Sequence, residues 1–502
     1  MYGKIQDYPR TRTGRGSWGK FLSDPKQPKR VVVIGGGITG LAAAHRLREG
    51  ARERGLPLEV RLLESSDRFG GALRTSRAEG CLLEHGPDCF LSTKPAGVAL
   101  CEELGLGESL IGTGTEFRRS FILKGNVLLP VPAGFYLLAP SSFVPFITTP
   151  IFSPLGKLRM AMDLFIPRRK EDGDETLASF VRRRLGTEAL ERMAQPMVAG
   201  IYSADPETLS LAATFPQFLE MEREKRSVIL ALRKKMRAGR GGKGGGGGAS
   251  STSGPRYGLF VSLREGMESL VAALLERIPE GALRSGCRVS ALHRERDGWK
   301  VRLEGGESVT ADAVCLTAPA PPAAKLMGEV SPKMSELLSE IAYGSMGTLN
   351  LVYQRERVKR PLDGMGFVVP ATEGRALVAC SFSSVKFEGR APEGKVLLRA
   401  FFGGGETLSL SEEETVRRLL DELRGILGVQ GEPEAVLLRR HPHSMPQYKV
   451  GHPDRVGAIE AEAEKLPSFA IAGSAYRGVG IPDCIEGANK AAGRLLDFLG
   501  VE

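Results

Sequence analysis

The first clear pattern in the chain is a short apolar run, Val31–Ile34, bounded by Lys29 and Arg30 on one side and by glycines on the other. A run of this length with no polar alternation predicts a strand buried on both faces. Leu41, Ala42, Ala43, Ala44 and Leu47 follow at helical spacing, with small side chains toward the strand. "LEVRLLESSDRFGGALRT" (58–75) predicts a second strand that ends on Glu64, so the three segments form a βαβ unit. From about 258 the apolar period falls to two. "CRVSALHRERDGWKVRLEGGESVTADAVCLTAPA" (287–320) alternates, with hairpin turns at Asp297-Gly298 and Gly305-Gly306. The runs 347–354, 364–370, 376–384 and 395–404 predict antiparallel strands, and 411–428 predicts a helix. The chain closes on "AIAGSAYRGVGIPDCIEGANKAA" (470–492): a strand end, a glycine-rich turn and a small-residue helix opened by Pro482.

Between these lies a different texture. Residues 128–170 mix aromatic and aliphatic side chains with prolines at 130, 132, 140, 145, 150, 154 and 167, which interrupt any long helix. Two readings stand: a proline-rich loop packed on a core, or an apolar plateau dipping into one membrane leaflet, rimmed by Arg159, Arg168, Arg169 and Lys170. Residues 175–211 are helical as far as the turn "AGIYSAD". "RAGRGGKGGGGGASSTSG" (237–254) is low-complexity and predicts a disordered loop without a role in chemistry.

Length and composition narrow the class. A chain of 502 residues exceeds one ordinary core and predicts two or three domains. Its seven cysteines are scattered with no C-x-x-C, which fits free thiols in a reducing compartment. The net charge is +10, and residues 1–30 carry eight Lys/Arg against two Asp. That prefix lacks an apolar core and has poor helical amphipathicity, so it reads as a disordered basic tail rather than a targeting peptide. No run of about 20 apolar residues predicts a transmembrane helix. No recognition motif accompanies the basic balance, so no nucleic-acid partner is expected.

The chemistry concentrates in glycines. Gly35, Gly37 and Gly40 form G-x-G-x-x-G between a strand and a helix, with Gly36, Ile38 and Thr39 in the gaps. Such a turn brings backbone amides and a helix N-terminus to a pyrophosphate. Glu64, at the end of the next strand, is placed to accept from ribose hydroxyls. Ser65 follows it, and Arg68 with Gly70-Gly71 and Ala72 would add a cation and a second bare backbone at the pyrophosphate. This R-x-G-G step resembles the FAD-binding branch of dinucleotide folds. The turn Gly86, Pro87, Asp88 and the bare C-terminal turn would then approach the flavin, the last helix aiming its N-terminus at the ring. No Ser-His-Asp set, paired carboxylates or metal-ligand spacing is present; His441 and His443 form only an i, i+2 pair, so no metal is expected.

Together, "GGGITGLAAA" (35–44), "ESSDRFGGAL" (64–73), "EHGPDCF" (84–90), "AGIYSAD" (199–205), "LSLAATFPQF" (209–218), "SMPQYKVGH" (444–452) and "YRGVGIPDCIEGA" (476–488) resemble the porphyrinogen oxidases of haem synthesis, which oxidise protoporphyrinogen or coproporphyrinogen. The resemblance implies non-covalent FAD and a six-electron oxidation with dioxygen as acceptor and hydrogen peroxide as product. Carried over by position, FAD is held by Gly35–Gly40, Glu64, Ser65, Arg68, Gly71, Ala72 and Gly86–Asp88. Val289 offers its backbone to the adenine, and Val479, Gly480, Ile481 and Pro482 lie near the isoalloxazine. His441 stands where relatives often place a tryptophan beside the flavin. Gly200, Ile201 and Tyr202 line the tetrapyrrole pocket, and Lys94 pairs with a propionate. No catalytic side chain is assigned; the flavin and the Gly200 backbone are the candidates. Segment 113–170 falls where the family has its membrane-binding domain, which favours peripheral contact with the inner face of the cell membrane by a cytoplasmic protein; a homodimer is also expected. The rivals are a flavin amine oxidase, argued against by the lack of a flavin-attachment "SGGC"-type stretch, and a prenyl-binding escort protein of the same fold.

The expected fold is therefore α/β with α+β: a discontinuous Rossmann-like FAD domain, a mixed, largely antiparallel substrate domain and a helical membrane-binding insertion. The FAD domain is expected to draw on three stretches of chain, 29–112, 258–318 and 439–502. Between them fall a helical unit at 113–230, a disordered loop at 237–257 and the substrate domain at 319–438, with the basic tail at 1–28.

Overall fold

The structure is a computed structural model that describes residues 6–7, 28–136, 139–140, 142–171, 173–240 and 259–500. Its first layer is a five-stranded parallel sheet in the order Leu283–Arg284, Leu58–Leu63, Lys29–Ile34, Ala313–Leu316, Phe469–Ile471. Three distant stretches of the chain thus share one sheet. The central strand is buried from Val31 to Ile34 because both faces are covered. On one face the helices Ile38–Arg54 and Ile481–Gly500 lie together, close enough that a Cβ on Gly50 would sit 2.4 Å from Leu496. On the other, the meander Val289–Glu295, Gly298–Leu303, Ser308–Ala311 packs Trp299 against Phe469. A satellite sheet joins Phe90–Leu91, Phe260–Leu263 and Leu110–Gly112, tying the first and second dinucleotide segments.

The second layer is a seven-stranded sheet in the order Ala435–Pro446, Tyr343–Gln354, Lys395–Phe402, Leu377–Phe382, Gly366–Val368, Phe121–Lys124, Val127–Pro130. One face buries Leu349, Leu351 and Tyr353 with the helix Glu412–Leu427, which starts in a Ser411/Glu414 capping box. The other face turns Thr348 and Asn350 toward the first domain, where they donate to the carbonyls of His85 and Glu84.

The third unit is helical: Pro154–Ala161, Leu177–Arg184, Gln195–Tyr202, Pro216–Lys225 and Val228–Arg240 surround Phe180, Phe218 and Met193. Arg184 and Asp163, both fully buried, pin it together, with Arg184 also donating to the carbonyls of Ile166, Pro167 and Arg226. A buried pair is tolerated because every charge is hydrogen-bonded.

Several boundaries differ from the sequence expectation. Phe121–Lys124 and Val127–Pro130 belong to the seven-stranded sheet, so the helical unit begins after 130 rather than at 113. Their partner is Gly366–Val368, more than 200 residues away, which local periodicity cannot reveal. The strand Ala435–Pro446 runs through the division drawn at 439, so the return to the first domain comes later. Helices Ala320–Met327 and Pro332–Ser339 pack in the first domain's core, not the substrate domain's. Gln6–Asp7, placed in a disordered tail, pairs with Thr75–Ala78; the rest of that tail up to residue 27 lies outside the described residues. The helix Val228–Arg240 extends into the low-complexity segment expected from 237, and residues 241–257 of that segment lie outside the described residues.

Candidate active site

The glycine turn is built for close approach. Gly35 has φ +109, and a Cβ on Gly40 would lie 1.8 Å from the Gly35 carbonyl, so helix and strand meet backbone to backbone. A Cβ on Gly36 would strike Phe69 and Glu64. Gly37 differs: a Cβ there meets nothing within 4 Å. Gly37 is also the N-cap of Ile38–Arg54, with no side-chain cap on the amides of the first turn. Gly70 bridges to Gly37, and Gly71 lies with its ideal Cβ 3.3 Å from the Gly37 Cα, bringing the R-x-G-G step to the same place. Bare backbone from two glycine steps thus meets at one helix N-terminus, an arrangement suited to an anionic group.

Glu64 accepts from the amides of Gly36 (2.6 Å) and Ser66 (2.7 Å), with the Ser65 hydroxyl 3.3 Å away. Its carboxylate is thereby fixed at the strand end where a ribose would lie. Val289 begins its strand near this point, since the Cys287 amide donates to the Glu64 carbonyl (2.7 Å). Arg68 is the exception to the expectation. Its guanidinium donates to the carbonyls of Gly71 and Leu73 (both 2.7 Å) and pairs with Glu268 (3.3 Å), so it braces the glycine step rather than presenting a free cation.

The second helix N-terminus converges on the first. Thr39 meets Cys484 of the last helix. The turn before that helix is bare for a reason: Gly478 has φ +153, and a Cβ on it would lie 2.3 Å from Asp483. Asp483 pairs with Lys94 at 2.5 Å, so the predicted substrate cation lies at the C-terminal glycine turn with a carboxylate already beside it. Ala72 and Gly86 complete this edge, packed so that a Cβ on Gly86 would lie 2.0 Å from the Ala72 carbonyl.

The helical unit closes over the turn. Val479 packs against its core, and Tyr202 sets its ring edge-on to Phe215 at 5.8 Å. Burial, with the Asp483 charge nearby, pushes the Tyr202 phenol up to about 12. Ser203 ends the helix Gln195–Tyr202 in a left-handed conformation (φ 47) and its hydroxyl reaches the Met346 sulfur at 3.4 Å. Met346 is paired across the ladder with His441. His441 holds the His85 carbonyl at 3.0 Å, and burial lowers its pKa, so it is a neutral ring that donates to that carbonyl. Gly200 and Ile201 are exposed, and a Cβ on Gly200 would meet nothing within 4 Å. Of the predicted substrate residues, Lys94 and Tyr202 both lie within the influence of Asp483 beside the C-terminal turn, while Gly200 and Ile201 are exposed.

Four polar residues of this region were not singled out from sequence. Arg399 donates to the Gly86 carbonyl, and Lys386 pairs with Asp88 at 2.9 Å. Burial pushes the Asp88 carboxyl up, but Lys386 and Arg399 outweigh it and hold the group well below the usual range. His85 accepts from Arg439 (2.9 Å) through Nδ1 and so donates from Nε2 to Ser76 (2.5 Å). Glu84, pushed up to about 7 by burial, accepts from the Met267 amide and the Thr75 hydroxyl. The available signal was a charge inside an apolar strand, as in "VLLRAFF", which demands a buried partner.

A family model described as flavin containing amine oxidoreductase matches residues 38–496. The chain belongs to that family. Among its relatives, coproporphyrinogen III oxidase of Bacillus subtilis (strain 168) is 36% identical over 95% of this chain and 100% of that protein. Protoporphyrinogen oxidase of Bos taurus is 32% identical over 93% of this chain and 98% of its own length. A crystal structure from Exiguobacterium sp. 255-15, provisionally described as a protoporphyrinogen oxidase, superposes with a TM-score of 0.81 at 31% identity, covering 93% of this chain and 98% of the other. The family's cofactor is a flavin, and the open cradle at Gly37 with two converging helix N-termini fits its dinucleotide form.

Proposed function

We propose that the chain is an FAD-dependent porphyrinogen oxidase of haem synthesis and that coproporphyrinogen III is its preferred substrate. The observation that carries the reading is the meeting of two helix N-termini at Thr39 and Cys484, beside the glycine steps joined at Gly37 and Gly70, in a chain related along almost its whole length to porphyrinogen oxidases. The relatives named for coproporphyrinogen include two at 36% and 37% identity, against 32% for the bovine protoporphyrinogen enzyme. Bound FAD supplies the two-electron acceptor, with dioxygen as the terminal one. The chain's own residues bind, orient and shield. Gly37 and the first amides of Ile38–Arg54 hold phosphate, and the N-terminus of Ile481–Gly500 favours negative charge on the ring. Val479 and Tyr202 exclude water from above. Lys94, released from Asp483 by a competing carboxylate, takes a propionate. The test is anaerobic: coproporphyrinogen added to the yellow protein bleaches its visible absorbance within seconds, whereas retention of the oxidised spectrum would refute the reading.

Peripheral membrane contact belongs to the same proposal. Val144, Ile147, Leu155, Leu158 and Phe165 are exposed by 62–79%, on adjacent segments of the helical unit, and Arg168 and Lys170 are exposed beside them. Arg159 and Arg169, also expected on this rim, are instead engaged inward, Arg159 with carbonyls at the end of Leu177–Arg184 and Arg169 with the buried Glu175 at 3.8 Å. No helix among the described residues is long and apolar enough to cross a membrane. A cytoplasmic protein resting on the inner face of the cell membrane fits this plateau, and light scattering in detergent-free buffer tests the proposed homodimer. An amine oxidase remains the second outcome, favoured if simple amines rather than porphyrinogens reduce the flavin.

A further inference from the structure

Against the Gly86–Asp88 turn, the structure gathers charge for which neither cofactor nor substrate binding has yet given a use. Arg399 is 3% exposed in the middle of the strand Lys395–Phe402. Its guanidinium donates to the Gly86 carbonyl, stands 3.9 Å from Asp88 and lies over the Phe401 ring at 4.9 Å. Its Nε has no hydrogen-bond partner. Two other buried atoms are also unpaired, Asn350 Oδ1 and Ser383 Oγ, and their side chains line the same small cavity as Arg399, Asp88, Glu84 and Arg390. That cavity has room for about one water.

The charges here do not balance. Lys386, Arg390 and Arg399 are cations, Asp88 is an anion, and Glu84 is fully charged only above about pH 7. Burying an unmatched charge is costly, so a standing excess of positive charge calls for a negative partner. The nearest position for one follows from the backbone. Gly86 is packed on Ala72, and Ala72 follows the Gly70-Gly71 step that abuts Gly37. The turn that Arg399 holds therefore packs against the same glycine step that meets Gly37.

We infer that Arg399 is a positioning residue for the flavin: it fixes the Gly86–Asp88 turn against the ring and supplies the positive field that favours the reduced, negatively charged cofactor over the neutral oxidised one. The inference rests on the flavin reading of the cleft and deepens it. It needs no contact between Arg399 and substrate.

The test is the midpoint potential of bound FAD in the holoenzyme, by equilibration with a reference dye, with FAD affinity and thermal midpoint measured beside it. Arg399→Met loses at least tenfold in its preference for reduced over oxidised flavin, a shift of about 30 mV to more negative potential for a two-electron couple. Arg399→Lys, which keeps the charge and loses the fork, moves less. Asp88→Asn, which enlarges the positive excess, moves the potential the other way, and decides the matter if Arg399→Met does not load FAD. A purely structural role would weaken both redox forms equally and leave the midpoint in place. An unmoved midpoint in yellow Arg399→Met, or a negative or absent shift in Asp88→Asn, overturns the inference alone. A wild-type chain that takes up no FAD would overturn the cofactor reading as well.

Discussion

Gly37→Ala and Gly40→Ala change one methyl group each, three residues apart, and the structure assigns them opposite consequences. At Gly37 the backbone is extended (φ −72, ψ −177), which alanine adopts freely, and the added carbon meets nothing within 4 Å. The apo protein should be as stable as the wild type, within about 0.5 kcal/mol. The same carbon projects into the space assigned to the pyrophosphate. Forcing a methyl group into a filled site costs about 1–3 kcal/mol, so FAD should bind roughly tenfold to a hundredfold more weakly. At Gly40 the carbon would lie 1.8 Å from the Gly35 carbonyl and 2.8 Å from the Thr317 hydroxyl. Neither the strand end nor the helix can yield cheaply, so the apo fold itself should lose about 3 kcal/mol. Denaturant midpoints of the two apo proteins, with flavin-fluorescence titration of FAD, separate the cases. If Gly37→Ala bound FAD with unchanged affinity, the placement of the pyrophosphate would be wrong.

Other consequences are equally measurable. Glu84, raised to about 7, is protonated in the folded state over a range where the unfolded chain has lost its proton. Its contribution is therefore full below about pH 4.5 and disappears as pH rises to about 7, on the order of 3 kcal/mol in all. Glu84→Gln should gain stability relative to wild type between pH 5 and pH 8 in urea titrations, and a constant difference would count against this assignment. Asp163→Ala leaves Arg184 buried with only the longer contact to Glu222 (3.4 Å) for a carboxylate, and should destabilise the helical unit by about 3 kcal/mol in the same assay; a loss under about 1 kcal/mol would contradict the burial. Lys94→Ala removes a half-exposed ion pair worth no more than about 1 kcal/mol, so the thermal midpoint should hold while KM rises more than kcat falls. An unchanged KM would remove Lys94 from the propionate site. Leu155→Asp with Phe165→Asp should abolish flotation with anionic vesicles, because each side chain withdrawn from lipid forfeits about 1.5–3 kcal/mol; undiminished flotation would remove the plateau from membrane binding.

What could be read from the chain was local. Val31–Ile34, the glycine turn and Glu64 lie within 34 residues, and strand, turn and helix each carry their own signature. The C-terminal turn was legible because its glycines cluster in one short stretch just ahead of a helix, although Gly478 also serves locally, where a Cβ would lie 2.3 Å from Asp483. Strands Phe121–Lys124 and Val127–Pro130 were not, because their place depends on pairing with Gly366–Val368. Proline-rich neighbours made them resemble the insertion that follows. Arg68 misled for a related reason: a cation beside a glycine pair suggests phosphate, but the carbonyls of Gly71 and Leu73 are nearer. Lys94 could be placed at the site, yet its bond to Asp483 spans 389 residues and leaves no local trace. Arg399 carried a signal, a lone charge in a buried strand, but its partner Gly86 offers only a carbonyl.

The most direct test of the account is steady-state turnover. The purified chain, loaded with FAD in air, is given coproporphyrinogen III and protoporphyrinogen IX separately, and porphyrin fluorescence is followed against the spontaneous rate. The account predicts turnover with kcat/KM higher for coproporphyrinogen. No acceleration of either oxidation by a folded, yellow protein would contradict it, and a preference for protoporphyrinogen would contradict the substrate assignment.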